Sequence, residues 1–250
     1  MVDTHCHLDS CKPPDAELVE RARAAGVARL ATVGMHDESI ARALSAANEF
    51  EEVLAIVGRH PHYTEGFGDG DLEAIERAAS DPRARAIGET GLDYFRDNAP
   101  RDDQRRAFEA QIDLAARTAL PLVIHTRDAE EDTLAVLRER ADEVTVVMHC
   151  FSMPGRLNEC VERGYMCSFA GNVTYPKAVE LQAAARDLPE ELLLVETDSP
   201  YLAPQPVRGK PNEPANVVAT AQFVAELRGV SYEELDAAVE RNAGRVFGDW

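Results

Sequence analysis

Short runs of aliphatic and β-branched residues recur along the chain at residues 2–7, 28–34, 53–58, 85–89, 122–125, 145–149, 165–169 and 192–196. Several are nearly continuous, such as Val144, Thr145, Val146, Val147 and Met148, or Leu192 to Val195. A half-exposed strand alternates apolar with polar, so continuous runs of this length predict strands buried on both faces of a parallel sheet. Helical patterns lie between them. Residues 101–119 place Phe108, Ile112, Ala115 and Ala119 at helical spacing and stop before Pro121. Leu72, Ile75 and Ala79 form a shorter stripe that ends at Asp81-Pro82. Ser231, Tyr232, Glu233 and Glu234 have the order of a capping box, with Leu235, Ala238, Val239 and Val246 following on one face. Eight strands alternating with helices, with no hairpin signal, predict an α/β fold: a single (β/α)8 TIM barrel over residues 1–250. An open doubly wound sheet is the competing architecture, but no G-x-G-x-x-G follows a strand.

The polar residues at the strand ends change the picture from fold to chemistry. His5 and His7 close the first strand, and in extended backbone residues two apart share a face. Glu89 closes the fourth strand, His125 the fifth and His149 the sixth, and Asp198 follows the eighth. In a barrel all eight carboxyl ends open on one rim, so these residues converge. Four histidines and two carboxylates on one rim are the ligand supply for two divalent ions, and charged groups at a buried rim are costly unless paired or metal-bound. Imidazoles with carboxylates suit Zn2+ or Mn2+, while Mg2+ usually takes fewer imidazoles.

Composition adds limits. The chain has 250 residues with 45% hydrophobic side chains, enough for a large core. No apolar run approaches the roughly 20 residues that span a bilayer, and Asp3 interrupts any signal-peptide core. The five cysteines, Cys6, Cys11, Cys150, Cys160 and Cys167, are odd in number and lack C-x-x-C spacing. That argues against a disulfide framework or a cysteine zinc knuckle and predicts a cytoplasmic protein. Cys6 and Cys150 neighbour ligand-type histidines, but strand alternation turns them away, as core fillers. The net charge of -19 normally speaks against a nucleic-acid ligand. In about 1 M salt the Debye length falls to about 3 Å, so the acid surplus reads instead as a halophilic surface.

The ordered motifs resemble the TatD family of metal-dependent hydrolases, within the amidohydrolase-type barrels, over essentially the whole chain. The resemblance rests on Asp3-Thr4-His5-Cys6-His7-Leu8-Asp9, Gly58-Arg59-His60-Pro61-His62, Gly88-Glu89-Thr90-Gly91-Leu92-Asp93, His125, His149-Cys150-Phe151-Ser152, Glu196-Thr197-Asp198-Ser199-Pro200-Tyr201-Leu202 and Arg208-Gly209-Lys210-Pro211-Asn212-Glu213-Pro214. It implies that His5, His7, Glu89 and Asp198 hold one metal, and that Glu89 bridges to a second completed by His125 and His149. It also implies hydrolysis by a metal-activated water, with Glu89 and Asp198 catalytic and Asp198 taking the proton.

The loops contribute candidate substrate contacts: His62 beyond the third strand, and Arg208, Asn212 and Glu213 in the irregular stretch 199–214, where an arginine can grip a phosphate. His60 reads more readily as a loop histidine packing locally, and His36 as a surface residue at a helix entry. The family usually carries a basic residue where this chain has Pro211, which removes one phosphate contact. The expected activity is a DNase acting on single strands or ends, in a monomer without membrane attachment. An ester hydrolase such as a D-aminoacyl-tRNA deacylase uses the same ligands, and a metal-binding protein without turnover is the reading from another class.

Overall fold

The computed structural model describes residues 1–248. Eight strands, β1 (Val2–Cys6), β2 (Arg29–Gly34), β3 (Val53–Val57), β4 (Ala84–Asp93), β5 (Leu122–Arg127), β6 (Val146–Met148), β7 (Met166–Phe169) and β8 (Leu193–Val195), pair in parallel in chain order. Helices α1 (Asp15–Ala24), α2 (Asp37–Glu49), α3 (Asp69–Ala79), α4 (Arg101–Thr118), α5 (Glu130–Arg140), α6 (Leu157–Glu162) and α7 (Val179–Asp187) alternate with them. After β8 come α8 (Val217–Arg228) and α9 (Tyr232–Phe247), and α9 packs back on β8 and β1. The strands are buried almost throughout, as their continuous apolar runs require. Among the described residues no helix is long and apolar enough to cross a membrane.

The helix signals have visible causes. Ser231 Oγ accepts from the Glu234 N–H at 3.2 Å while the Ser231 N–H donates to Glu234 Oε2 at 2.8 Å, and the stripe from Leu235 to Val246 is buried. Helix α4 stops where Ala119 turns left-handed, φ 54°, before Pro121.

Strand β4 departs from expectation. It runs past Glu89 to Asp93, with a register shift between Ile87 and Thr90. Two glycines make this possible. Gly91 has φ +139°, and a Cβ there would lie 2.0 Å from the His125 carbonyl oxygen; Gly88 has φ +145° and meets the Val123 carbonyl. Glycine is normally a poor strand former, so the extension was hidden in the sequence. It brings Asp93 to the same rim as Glu89.

The ring closes between β8 and β1. The Asp198 N–H donates to His5 O at 2.9 Å and the His7 N–H to Ser199 O at 2.8 Å. Below this seam the fully buried Asp3 carboxylate accepts from the Thr197 N–H (2.8 Å) and Thr197 Oγ1 (2.6 Å). Asp3→Ala strands both Thr197 donors in the core. It is expected to cost about 2–5 kcal/mol, seen as a lower urea midpoint at unchanged m-value. An unchanged midpoint would show that Asp3 does not hold the seam.

Candidate metal centre

Glu89 is the hub. Its carboxylate is buried, and five imidazole nitrogens lie within 3.9 Å of its oxygens. The two oxygens face different sets. Oε2 faces His5 Nε2 (3.3 Å) and His7 Nε2 (3.9 Å). Oε1 faces His60 Nε2 (3.4 Å), His125 Nδ1 (2.8 Å) and His149 Nε2 (3.4 Å). His7 Nε2 lies a further 3.3 Å from Asp198 Oδ1. His5 and His7 point inward together, their Nε2 atoms 3.3 Å apart, and His5 stacks on His149 with ring centroids 3.6 Å apart. Asp198 is held at φ +54°, a left-handed turn that re-aims its carboxylate back over the rim just beyond β8.

An outer set of carboxylates fixes these rings. Glu196, at the end of β8 and fully buried, lies 2.8 Å from His149 Nδ1 through Oε1, which also accepts from the Cys150 N–H. Asp93 Oδ2 lies 2.7 Å from His62 Nε2 and 3.2 Å from His125 Nε2, while its Oδ1 accepts from the N–H groups of Phe95 (3.0 Å) and Arg96 (2.8 Å). A carboxylate on the far nitrogen of a ligand imidazole fixes its tautomer and raises its basicity.

Charge follows from this packing. Burial pushes Glu89 up, but the surrounding His149 and His60 and the bonds from His125 and His5 outweigh it and hold the group well below the usual carboxylate range. Asp198 likewise stays low, burial being overcome by the bond from His7 and the charges of His149, His7 and His5. Burial drives the His60 pKa down to about 4, whereas Glu196 and Glu89 overcome burial at His149 and lift it to about 10.

The donor set fits divalent cations. His5, His7 and Glu89, then His60, Glu89 and His125, then His5, His149 and Glu196 each bring three ligand atoms within 4.8 Å of one another. Two buried imidazole lone pairs facing each other at 3.3 Å repel unless a proton or a cation lies between them. The buried Glu196 Oε2 has no hydrogen-bond partner, as befits a site short of positive charge.

The structure therefore brings His5, His7, Glu89, His125, His149 and Asp198 together, and adds His60, Asp93 and Glu196. His60 hides behind its turn: a short 3-10 helix at Pro61–Tyr63 follows it, and its Nδ1 accepts from the His62 N–H. Spacing alone reads it as a loop residue, whereas the ring is buried against Glu89. Asp93 shares a face with Glu89 four residues earlier, a periodicity available in the sequence once β4 is known to continue. Glu196 had a signal too: an acid directly behind the apolar run Leu192 to Val195 is buried unless the strand stops short.

The loop candidates lie elsewhere. Asn212 is buried and braces the chain: its Nδ2 donates to Thr197 O (2.9 Å) and Tyr201 O (2.7 Å), and its Oδ1 accepts from Glu213 N–H and Asn216 Nδ2. Glu213 pairs with Arg21 of α1 at 2.7 Å. Neither side chain points a free group at the cluster. Arg208 lies over the Tyr175 ring, 4.1 Å from its centroid, beside an open cleft of about 540 Å³ that Lys177 and Gln205 also line. His62 alone of the four joins the cluster, a quarter exposed on Asp93. Cys6 and Cys150 carry thiols that burial holds well above their ordinary pKa, so neither is a thiolate ligand at neutral pH.

Comparison with known proteins agrees with this geometry. Residues 2–248 match the family described as TatD related DNase. The chain is 38% identical over 251 residues to the metal-dependent hydrolase YabD of Bacillus subtilis, covering 99% of this chain and 98% of the relative. It is 34% identical over 239 residues to the 3'-5' ssDNA/RNA exonuclease TatD of Klebsiella pneumoniae, covering 93% of this chain and 91% of that one. The crystal structure of the TatD homologue YJJV from Escherichia coli superposes with a TM-score of 0.91 at 29% identity, over 100% of this chain and 98% of that one.

Proposed function

Because the chain belongs to the TatD family of metal-dependent hydrolases, we propose that it hydrolyses phosphodiester bonds in DNA, working on single strands or ends. That it is a hydrolase of ester bonds follows from the family; the bond and the polymer are our reading. The divided environment of Glu89, with His5 and His7 on one oxygen and His60, His125 and His149 on the other, supports metal-assisted hydrolysis, and the relative named as a 3'-5' ssDNA/RNA exonuclease supports the choice of bond.

In this reading His5, His7, Glu89 and Asp198 would hold one divalent ion, Zn2+, Mn2+ or Mg2+, and Glu89, His125 and His149 would hold a second, with His60 beside that set. Such ions supply positive charge to a phosphoryl oxygen and to the attacking water. The protein's own groups do the rest. Asp198, ionised and at the mouth, accepts the water's proton. Glu196 holds His149, and Asp93 holds His125 and His62, so that the rings do not turn as charge builds. His62 presents its remaining ring nitrogen to the substrate. Arg208 meets a phosphate further along, while Asn212 and Glu213 act as braces of that loop rather than as contacts.

The test uses purified protein stripped with EDTA and reloaded with Mn2+, Zn2+ or Mg2+. Stripping is expected to lower cleavage of single-stranded DNA at least about 100-fold, an effect of about 2.7 kcal/mol on the barrier, and reloading to restore it. Single strands and frayed ends are expected to be cut faster than blunt duplex. If the reloaded protein leaves DNA intact but deacylates D-aminoacyl-tRNA, the phosphodiester reading fails and the ester hydrolase replaces it. If it turns over neither, the chain only binds metal.

A further inference from the structure

The chain carries 45 acidic against 26 basic residues, and most arginines are neutralised by carboxylates. Arg138 pairs with Glu159, Arg140 with Asp113, Arg156 with Glu131 and Arg241 with Glu190. Among the described residues, Lys12, Arg42, Arg96, Arg127, Lys177, Arg208 and Lys210 have neither a carboxylate nor a carbonyl partner for their charge. All of them but Arg42, on α2, lie at or beyond the carboxyl end of a strand, on the side where the imidazoles gather.

Exposed aromatic rings share that side. Tyr63 after β3 is 47% exposed, Phe95 after β4 54% and Tyr201 after β8 53%. Exposed phenylalanine is costly, and Phe95 has a particular setting. The Arg127 guanidinium lies 3.9 Å from its ring centroid and that of Arg96 5.7 Å away. Arg127 pairs in register with Asp93, two residues beyond the pair of Gly91 with His125. That step of two residues lifts it about 6.6 Å above the ligand layer along the strand. Phe95 and Arg96 are fixed by their N–H bonds to Asp93 Oδ1, the carboxylate that also holds His62 and His125. The backbone of Phe95 and Arg96 and the imidazole cluster are thus tied together through one carboxylate, with two unneutralised guanidiniums against the ring.

We propose that Phe95, backed by Arg127, is a stacking platform for a nucleobase, and that Arg96 and Arg127 take the phosphate next to it, so that the substrate strand is held beside the ligand cluster by an unpaired base. The inference rests on the phosphodiester reading and names how that substrate is recognised. Every base offers a π-face, so such a platform selects single strands over duplex without selecting sequence. The guanidinium under the ring adds charge where the strand's phosphates need it, in a molecule whose overall field repels them.

The test measures binding by the metal-loaded protein of a labelled phosphorothioate oligothymidylate of twelve nucleotides, and of the same backbone built from abasic residues. Phe95→Ala is expected to weaken oligothymidylate binding about 5- to 100-fold, the range of one lost base stack, with abasic binding weak in both proteins. Phe95→Trp keeps the preference for bases, and unchanged melting temperatures show the variants folded. An oligonucleotide carrying 5-iodouracil is expected to photocross-link to the peptide holding Phe95. If Phe95→Ala retains the wild-type preference for thymidylate over abasic backbone, the platform is wrong even if DNA is cleaved. If the wild type binds thymidylate through Phe95 yet cleaves no strand, the platform stands and the phosphodiester reading falls. If it binds neither oligonucleotide, both fall.

Discussion

Replacing Glu89 with alanine is expected to empty both sides of the cluster at once and to lower kcat/KM at least about 1,000-fold, about 4 kcal/mol of transition-state stabilisation. The size follows from position. Among the described residues no other carboxylate lies against imidazoles on both of its oxygens, and those imidazoles come from β1, β5 and the turns after β1, β3 and β6. Removing a lone ligand of one ion leaves the other in place, whereas removing the shared group takes charge from both. Metal content after chelator-free desalting is the direct readout, measured by elemental analysis per chain. Glu89→Gln keeps the volume and removes only the charge, so it separates lost ligation from a collapsed cavity. Wild-type metal content in both variants would refute the shared role.

Asp198→Asn is expected to abolish turnover, by about 1,000-fold or more, while the fold remains. Asparagine tolerates left-handed backbone almost as well as aspartate, so the φ of +54° at this position survives the change. The seam bond from the residue 198 N–H to His5 O also survives. What disappears is an ionised acceptor 3.3 Å from His7, with its ability to take a proton. A melting temperature within a few degrees of wild type, beside lost activity, is the expected pair of results. If Asp198→Asn preparations cleave DNA at the wild-type rate, the activity belongs to another protein.

Much of this site is legible in the sequence. His5 and His7 follow from two-residue periodicity, and His125 and His149 from standing directly behind apolar runs, because a parallel barrel sends every such end to one rim. What was not legible depended on backbone that local propensity disfavours. The glycines at 88 and 91 carry β4 onward to Asp93, where strand statistics end it at Glu89. His60 caps a 3-10 turn, which has no face periodicity to read. The proline-rich loop misled in the other direction. Asn212 and Glu213 look available in sequence because they are polar and flanked by prolines, yet one is consumed by the Thr197 and Tyr201 carbonyls and the other by Arg21. Loop polarity says little until the backbone groups it must satisfy are known.

The seam between β8 and β1 has a consequence for how the molecule holds together over time. His5 and His7 stand on one lip and Glu196 and Asp198 on the other, across two backbone hydrogen bonds. Any fluctuation that parts the first strand from the last therefore also parts the ligands that stand on them. By thermodynamic linkage, an ion that binds only the closed ring raises the free energy of opening by its own binding free energy at the prevailing concentration. The amides of residues 7 and 198, the two donors across the seam, thus report on ion occupancy through their rate of exchange with solvent, and the ring behaves as a clasp whose pin is the cofactor.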